Sequence, residues 1–146
     1  MIEVKDFLNY LCGVLEYRFL TGIEDKRLIP FYNNLDSKLL RYIPAISPRT
    51  AISMANGVSV GGVKAAVILD EVSFNLIKDY FISPIIIIVI TDGGYKPKEF
   101  KSYKIVKNIK TGLKKADAYI TEKGAPCLVL INKDKLVWKD LMLLKT

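Results

Sequence analysis

The sequence predicts an α/β fold: one doubly wound, mostly parallel sheet with helices on both faces. Short apolar runs of strand length alternate with segments of helical spacing along the 146 residues. The run at 84–90 (P-I-I-I-I-V-I) has no polar face, which is typical of a parallel strand covered on both sides. No linker, repeat or low-complexity segment interrupts residues 1–146, so a single domain is expected.

The first elements follow from local patterns. An N-terminal helix is predicted by one apolar stripe at helical spacing: Val4, Phe7, Leu8, Leu11 and Leu15. Residues 18–23 (R-F-L-T-G-I) predict a strand and its turn, and Asp25 is placed to cap a helix that follows. Residues 41–46 (R-Y-I-P-A-I) predict the next strand, at a sheet edge because Pro44 has no N–H to donate.

The next helix is predicted to begin at Ser47 and Pro48 and to end near residues 61–62. Serine is a strong N-cap, and proline suits the first helical position because no hydrogen bond is lost there. Small residues such as Ala51 and Ala55 permit close packing, either against the sheet or against another helix. Packing of either kind, without a cofactor, is the favoured interpretation.

The alternation continues to the end of the chain. The remaining predicted elements are a strand at 65–70, a helix at 72–81, strands at 84–90 and 103–109, a helix at 111–123, a strand at 127–132, and a strand or short helix at 136–144. Thr111 is expected to cap the last long helix and Gly124 to end it. The D-G-G sequence at 92–94 predicts a turn.

Composition excludes several kinds of site. The chain has no histidine, which excludes Ser-His and Cys-His nucleophile pairs and the commonest zinc ligands. Cys12 and Cys127 are expected to be buried thiols in a reducing cytoplasm. No apolar run is long enough to span a membrane, and residues 1–18 lack a secretory cleavage pattern. Chemistry must therefore rest on carboxylates, lysines, hydroxyls or a cofactor, and no metal site is predicted.

The net charge of +7 belongs entirely to the second half of the chain. Residues 74–146 hold 14 basic and 7 acidic residues, whereas residues 1–73 hold 8 of each. A basic α/β protein that binds nucleic acid stays open as one alternative. No basic-aromatic binding motif accompanies the charge, and the lysines fall on different predicted elements. A solvated lysine-rich surface is therefore favoured over a nucleic-acid partner.

Ligands of doubly wound sheets bind beyond the carboxyl ends of the strands. The candidate loops are accordingly 21–26, 46–50, 70–73 and 91–95. Three motifs at these places resemble the phosphonopyruvate and sulfopyruvate decarboxylases. Residues 19–35, with T-G at 21–22, are similar to the first strand, turn and helix of that family. Residues 46–62 and 65–77 are similar to the next two signatures. Residues 114–136, with Ala116, Pro126 and 128–133 in place, are similar to the closing helix and strand.

The resemblance covers most of the chain and points to the pyrimidine-binding module of thiamine diphosphate enzymes. It implies that fold and, in the family, a decarboxylation of 2-oxo acids in which thiamine diphosphate supplies the chemistry. It also implies that Mg²⁺ is held by a partner subunit, so the isolated chain is not expected to hold the cofactor. The implied cofactor-binding positions are Thr21, Gly22, Asp25, Pro48, Thr50, Asp70, Glu71 and Ser73.

One position departs from the family in a way that bears on catalysis. The family's activating glutamate, at the start of the helix described above, falls on Pro48. Glu24 and Glu71 are possible substitutes on other loops, and Asp70 with Glu71 replaces amides of the family. No catalytic residue is therefore predicted with a defined role.

Two further alternatives remain beside the basic binding protein. The chain is either the pyrimidine-side subunit of a split decarboxylase or a degenerate, non-catalytic scaffold or regulator of the same fold. A homodimer, or a hetero-oligomer with a diphosphate-binding subunit, is expected to form through the helix at 47–62.

Overall fold

The computed structural model describes residues 2–23, 41–77, 80–91, 103–105 and 109–137. Its strands are β1 (Ile2–Glu3), β2 (Phe19–Ile23), β3 (Arg41–Ala45), β4 (Ala65–Asp70), β5 (Ile86–Thr91), β6 (Tyr103–Ile105), β7 (Cys127–Asn132) and β8 (Leu136–Val137). Its helices are α1 (Val4–Asn9), continued by a π-helical segment (Tyr10–Val14), then α2 (Pro48–Val60), α3 (Glu71–Ile77) and α4 (Ile109–Lys123). The helix expected after Asp25 and the turn expected at 92–94 lie outside the described residues.

Six of the strands form one parallel sheet in the order β3-β2-β4-β5-β7-β6. The short strands β1 and β8 form a separate parallel pair. From β2 the next strand lies to one side, at β3, whereas from β4 the next strand lies to the other side, at β5. The winding therefore reverses between β2 and β4, as in doubly wound folds. β3 lies at the sheet edge, as Pro44 predicts.

The central strands are buried on both faces. All six residues of β4 are buried, and Ile87 and Val89 of β5 pack in one apolar cluster with residues of α2 and α3. Ile86 and Ile88 point to the opposite face and join a second cluster with α1 and α4. The period-two alternation of strand side chains thus fills two cores at once. The uniform apolar run at 84–90 is explained by this double coverage.

The small residues of α2 have two different environments. Ala51 and Ala55 have no exposed surface and pack with the α2–α3 cluster against the sheet. Gly57 is exposed, and a Cβ built on it would meet no atom within 4 Å. Packing against the chain's own sheet is therefore the role of the two alanines, and Gly57 belongs to the outer surface of the helix.

Two boundaries differ from the expectation. α4 begins at Ile109, so Thr111 lies within its first turn and does not cap it. Ile109 and Leu113 are buried in the same apolar cluster as residues of α1 and β7, and the helix that contains them begins two residues before the local signal. α3 is a helix over Glu71–Ile77, and Phe81, though buried, is no longer helical.

Both cysteines are buried free thiols, as expected. Burial raises the pKa of Cys12 to about 11, and the nearby charge of Arg18 opposes that rise only in part. A thiol with such a pKa stays protonated near neutral pH and is a poor nucleophile. Cys12 therefore acts as an apolar core residue.

A polar cluster at the amino ends of β2 and β4 joins three parts of the chain. The Tyr17 hydroxyl donates to Asp117 Oδ1 at 2.7 Å, and Lys64 Nζ lies 3.1 Å from the same oxygen. Lys64 also donates to the Leu15 carbonyl at 2.9 Å. The cluster ties the N-terminal segment to the start of β4 and to the middle of α4. Burial of Tyr17 raises the pKa of its phenol far above the usual value of 10.0, and the hydrogen bond to Asp117 raises it further.

Replacing Tyr17 with phenylalanine is expected to change the pH dependence of stability. The native pKa exceeds the unfolded one, so the phenol's contribution is complete below about pH 10 and is lost as pH rises above it. Urea unfolding should show a steeper alkaline loss for the natural protein than for Tyr17→Phe. Near neutral pH the variant should lose about 1.5–3 kcal/mol, the value of a hydrogen bond to a charged group. Tyr80→Phe, at a surface hydroxyl, is the matched control; parallel alkaline slopes for all three proteins would contradict the expectation.

Candidate functional site

The candidate site lies at the carboxyl edge of the sheet, where the winding reverses between β2 and β4. The loop after β2 begins there, and α3 starts directly at the end of β4. α2 begins three residues after the end of β3, so its N-terminus lies at the same edge. Topology therefore brings together three of the four loops that the sequence predicts. Asp25 and Glu24, in the first loop, lie outside the described residues.

Thr21 and Gly22 hold neighbouring strands together. Thr21 is fully buried, and its Oγ1 donates to the Ile43 carbonyl of β3 at 2.7 Å. A Cβ on Gly22 would lie 2.6 Å from the Ile68 carbonyl oxygen of β4, closer than side chains tolerate. Glycine is therefore required for the close approach of β2 to β4. The T-G motif thus has a structural reason in this chain that needs no ligand.

Ser47 accepts hydrogen bonds from the first turn of α2. Ser47 Oγ accepts the Thr50 N–H at 3.2 Å, and the Ser47 and Thr50 hydroxyl oxygens lie 3.0 Å apart. The Ser47 carbonyl accepts the Ala51 N–H at 3.1 Å. Pro48, half-buried at the first helical position, has no N–H to leave unsatisfied. The turn contains no acidic residue.

The side chain of Arg49, the residue after Pro48, lies on the outer side of α2. Arg49 Nη2 donates to the Tyr80 hydroxyl at 2.6 Å, and its guanidinium carbon lies 4.9 Å from the centre of the same ring. Asn56 binds the same connection between α3 and β5, donating to the Tyr80 carbonyl at 3.2 Å and accepting from the Ser83 N–H at 3.3 Å. The Arg49 guanidinium is therefore bound to Tyr80 beside the helix.

At the end of β4, a carboxylate caps the following helix. Asp70 is buried, and its Oδ1 accepts the N–H of buried Ser73 at 2.7 Å. Glu71 is half-buried in the first turn of α3, where a negative charge is favoured by the helix dipole. Both predicted acids therefore lie at the winding reversal, and Asp70 has a defined structural role there.

The structure adds Asn132 to the residues at this edge. It ends β7 and pairs in register with Thr91, the buried last residue of β5. Its Oδ1 accepts the Asp134 N–H at 2.9 Å and so caps the short 3-10 turn Lys133–Lys135. In the sequence, Asn132 could have been recognised as a polar residue at the end of an otherwise apolar strand. No three Cys, Asp or Glu side chains among the described residues are grouped so as to hold a metal ion.

Comparison of the sequence with protein-family models and with curated proteins finds no match. Solved structures do match. Benzoylformate decarboxylase from Polynucleobacter necessarius superposes with a TM-score of 0.75 at 16% identity, over 94% of this chain and 31% of that one. Thiamine diphosphate-dependent 4-hydroxybenzoylformate decarboxylase from Rhodococcus jostii RHA1 gives 0.69 at 15% identity, over 99% and 33%. 2-Oxoglutarate:ferredoxin oxidoreductase from Magnetococcus marinus gives 0.68 at 13% identity, over 89% and 28%.

The parallel sheet with helices on both faces is therefore the fold of thiamine diphosphate-dependent enzymes. The chain is an α/β module with that fold. It spans 28–33% of the length of the structures it matches. Within the described residues, no helix is long and apolar enough to cross a membrane.

The chemistry of the described residues fits the aminopyrimidine ring of thiamine diphosphate poorly. Such a ring presents a basic nitrogen, which an acidic side chain can protonate. The first turn of α2 has Pro48 and no acidic residue, and the hydroxyls of Ser47 and Thr50 are bonded to each other. Thr21 and Asp70 are likewise bonded within the protein. These residues therefore support no reaction step through the cofactor.

Removing the Ser47 hydroxyl should destabilise the protein, because the Thr50 N–H would lose its acceptor. Ser47→Ala is expected to lower the free energy of unfolding by about 1 kcal/mol, the usual value of an N-cap. Chemical denaturation followed by circular dichroism measures the loss. Ser53→Ala, at an exposed position of the same helix, is the matched control and should be neutral or slightly stabilising. Equal stability of the two variants would contradict the capping role.

Proposed function

We propose that this chain is the pyrimidine-side module of a thiamine diphosphate-type assembly, completed by a diphosphate-binding subunit. The observation that carries the proposal is the likeness of the whole parallel sheet to thiamine diphosphate-dependent enzymes over 89–99% of the chain. The order of motifs at 19–35, 46–62 and 65–77 adds support, because the pyrimidine-binding module has these motifs at the same strand ends.

The substrate class that fits the proposal is a 2-oxo acid. Benzoylformate, 4-hydroxybenzoylformate and 2-oxoglutarate, named in the matching structures, all have a carbonyl next to a carboxylate. The sulfopyruvate and phosphonopyruvate decarboxylases that the sequence resembles act on the same class. Decarboxylation of such a substrate by the complete assembly, with Mg²⁺ held by the partner subunit, is the activity proposed.

The second candidate is a non-catalytic scaffold or regulator with the same fold. The observation that favours it is the bonding of polar groups at the carboxyl edge to one another. Hydrogen bonds within the chain already engage polar groups at this edge. The bonded pairs are Ser47 with Thr50, Thr21 with Ile43, and Asp70 with Ser73.

The outer side of α2 is the proposed contact surface, either with a second copy or with the diphosphate-binding subunit. Ser53, Gly57 and Val60 are exposed along it, and Val60 has 79% of its surface accessible. An exposed glycine on a helix allows another backbone to approach closely. The buried side of the same helix is occupied by the sheet and offers no such surface.

Gly57→Trp is expected to weaken assembly without unfolding the protein, because open space surrounds that position. Ala55→Trp is expected to unfold it, because Ala55 is fully buried and the large ring would overpack the core. Light scattering over a range of concentrations, with circular dichroism on each variant, separates the two effects. A Gly57→Trp variant that assembles as the natural chain does, both alone and with the diphosphate-binding subunit, would contradict the proposed surface.

The proposed function is tested by co-expression with a diphosphate-binding subunit encoded in the same genome. The expected result is a stable complex that binds thiamine diphosphate with Mg²⁺, whereas neither chain alone binds them tightly. Carbon dioxide release is then measured with a panel of 2-oxo acids. Failure of every such subunit to form a complex would reject the proposal, and a complex that turns over none of the acids would favour the scaffold.

A further inference from the structure

We infer that this module does not activate the cofactor, because the first turn of α2 has no acid and its Ser47 and Thr50 hydroxyls are bonded to each other. The inference rests on the proposed function and specifies the part that this subunit has in it. Another chain of the assembly would then supply the acid for proton transfer, and this subunit would contribute a surface for packing.

The first turn of α2 has few free backbone N–H groups. A helix N-terminus binds a ligand through backbone N–H groups that the helix itself leaves free. Here Pro48 has no N–H, and the Thr50 N–H is bonded to Ser47 Oγ. The Ala51 N–H makes the first regular helical bond, to the Ser47 carbonyl, so the Arg49 N–H is the first-turn donor left for a ligand.

The side chains around the cap are engaged as well. The Thr50 hydroxyl is paired with Ser47 Oγ at 3.0 Å, and Arg49 is drawn to Tyr80 by a hydrogen bond and by contact with its ring. None of these groups is an acid that could protonate a ring nitrogen. Of the neighbouring carboxylates, Asp70 is bonded to the Ser73 N–H. Glu71 is on α3, not on the helix that carries the family's glutamate.

The test uses thiamine, which lacks the diphosphate and so requires no partner subunit. Titration of the ¹⁵N-labelled chain with thiamine at millimolar concentration should leave the amide resonances of Arg49, Thr50 and Ala51 unchanged. Pro48→Glu should shift those resonances saturably, because a glutamate in a first helical turn is stable and presents the missing acid. The gain expected is about tenfold in affinity, as for one hydrogen bond to a charged group.

Pro48→Gln is the matched control, since it has the shape of glutamate without the charge and should not reproduce the gain. Saturable shifts in the natural chain would overturn the inference. So would a Pro48→Glu variant, folded by circular dichroism, that binds no better than Pro48→Gln. Amide hydrogen exchange gives a second check on the natural chain: rapid exchange of Thr50 and Ala51 would show that the cap is open.

Failure of the inference and failure of the proposed function are distinguished by the two experiments. The titration uses this chain alone and reads the α2 N-terminus directly. The co-expression experiment reads complex formation, which does not depend on whether position 48 is a proline. A complex that forms while the natural chain also binds thiamine would retain the proposed function and reject the inference.

Discussion

Coverage of both faces of the sheet is the constraint on which the rest of the structure depends. β4 and β5 have no polar side, so helices must bury them from above and below. α1 and α4 cover one face and α2 with α3 cover the other. Because α2 and α3 each follow a parallel strand, both must begin at the carboxyl edge. The position of the candidate site is a consequence of that packing.

The same constraint explains why residues at this edge are engaged in structure. Gly22 is required by the approach of β2 to β4, and Thr21 bonds across to β3. Ser47 and Asp70 cap helices that have to start where the strands end. Backbone groups at helix ends are costly to leave unsatisfied in a partly buried place. These residues therefore have a role in folding that needs no ligand.

Local rules explain which parts of the fold were predictable. β4 and β7 have the predicted bounds, and α2 begins at the predicted cap, because each is specified by its own apolar run or its own N-cap. The predicted start of α4 was wrong by two residues, since Ile109 is buried in a cluster of residues from distant segments of the chain. Among the candidate site residues, Thr21, Gly22, Asp70 and Ser73 lie at this edge, and their role in cofactor binding stays a prediction; their hydrogen-bond partners were not foreseeable.

The sequence by itself determined the class of fold, the edge position of β3, the capped start of α2 and the absence of an acid at Pro48. These depend on periodicity, on proline's missing N–H and on residue identity, all of which are local. Tertiary structure decided which face of α2 is buried, that Asp70 binds Ser73, and that Tyr17, Lys64 and Asp117 meet at the opposite edge. Those facts depend on strand order and helix placement, because the groups that meet come from separate turns and elements of the chain.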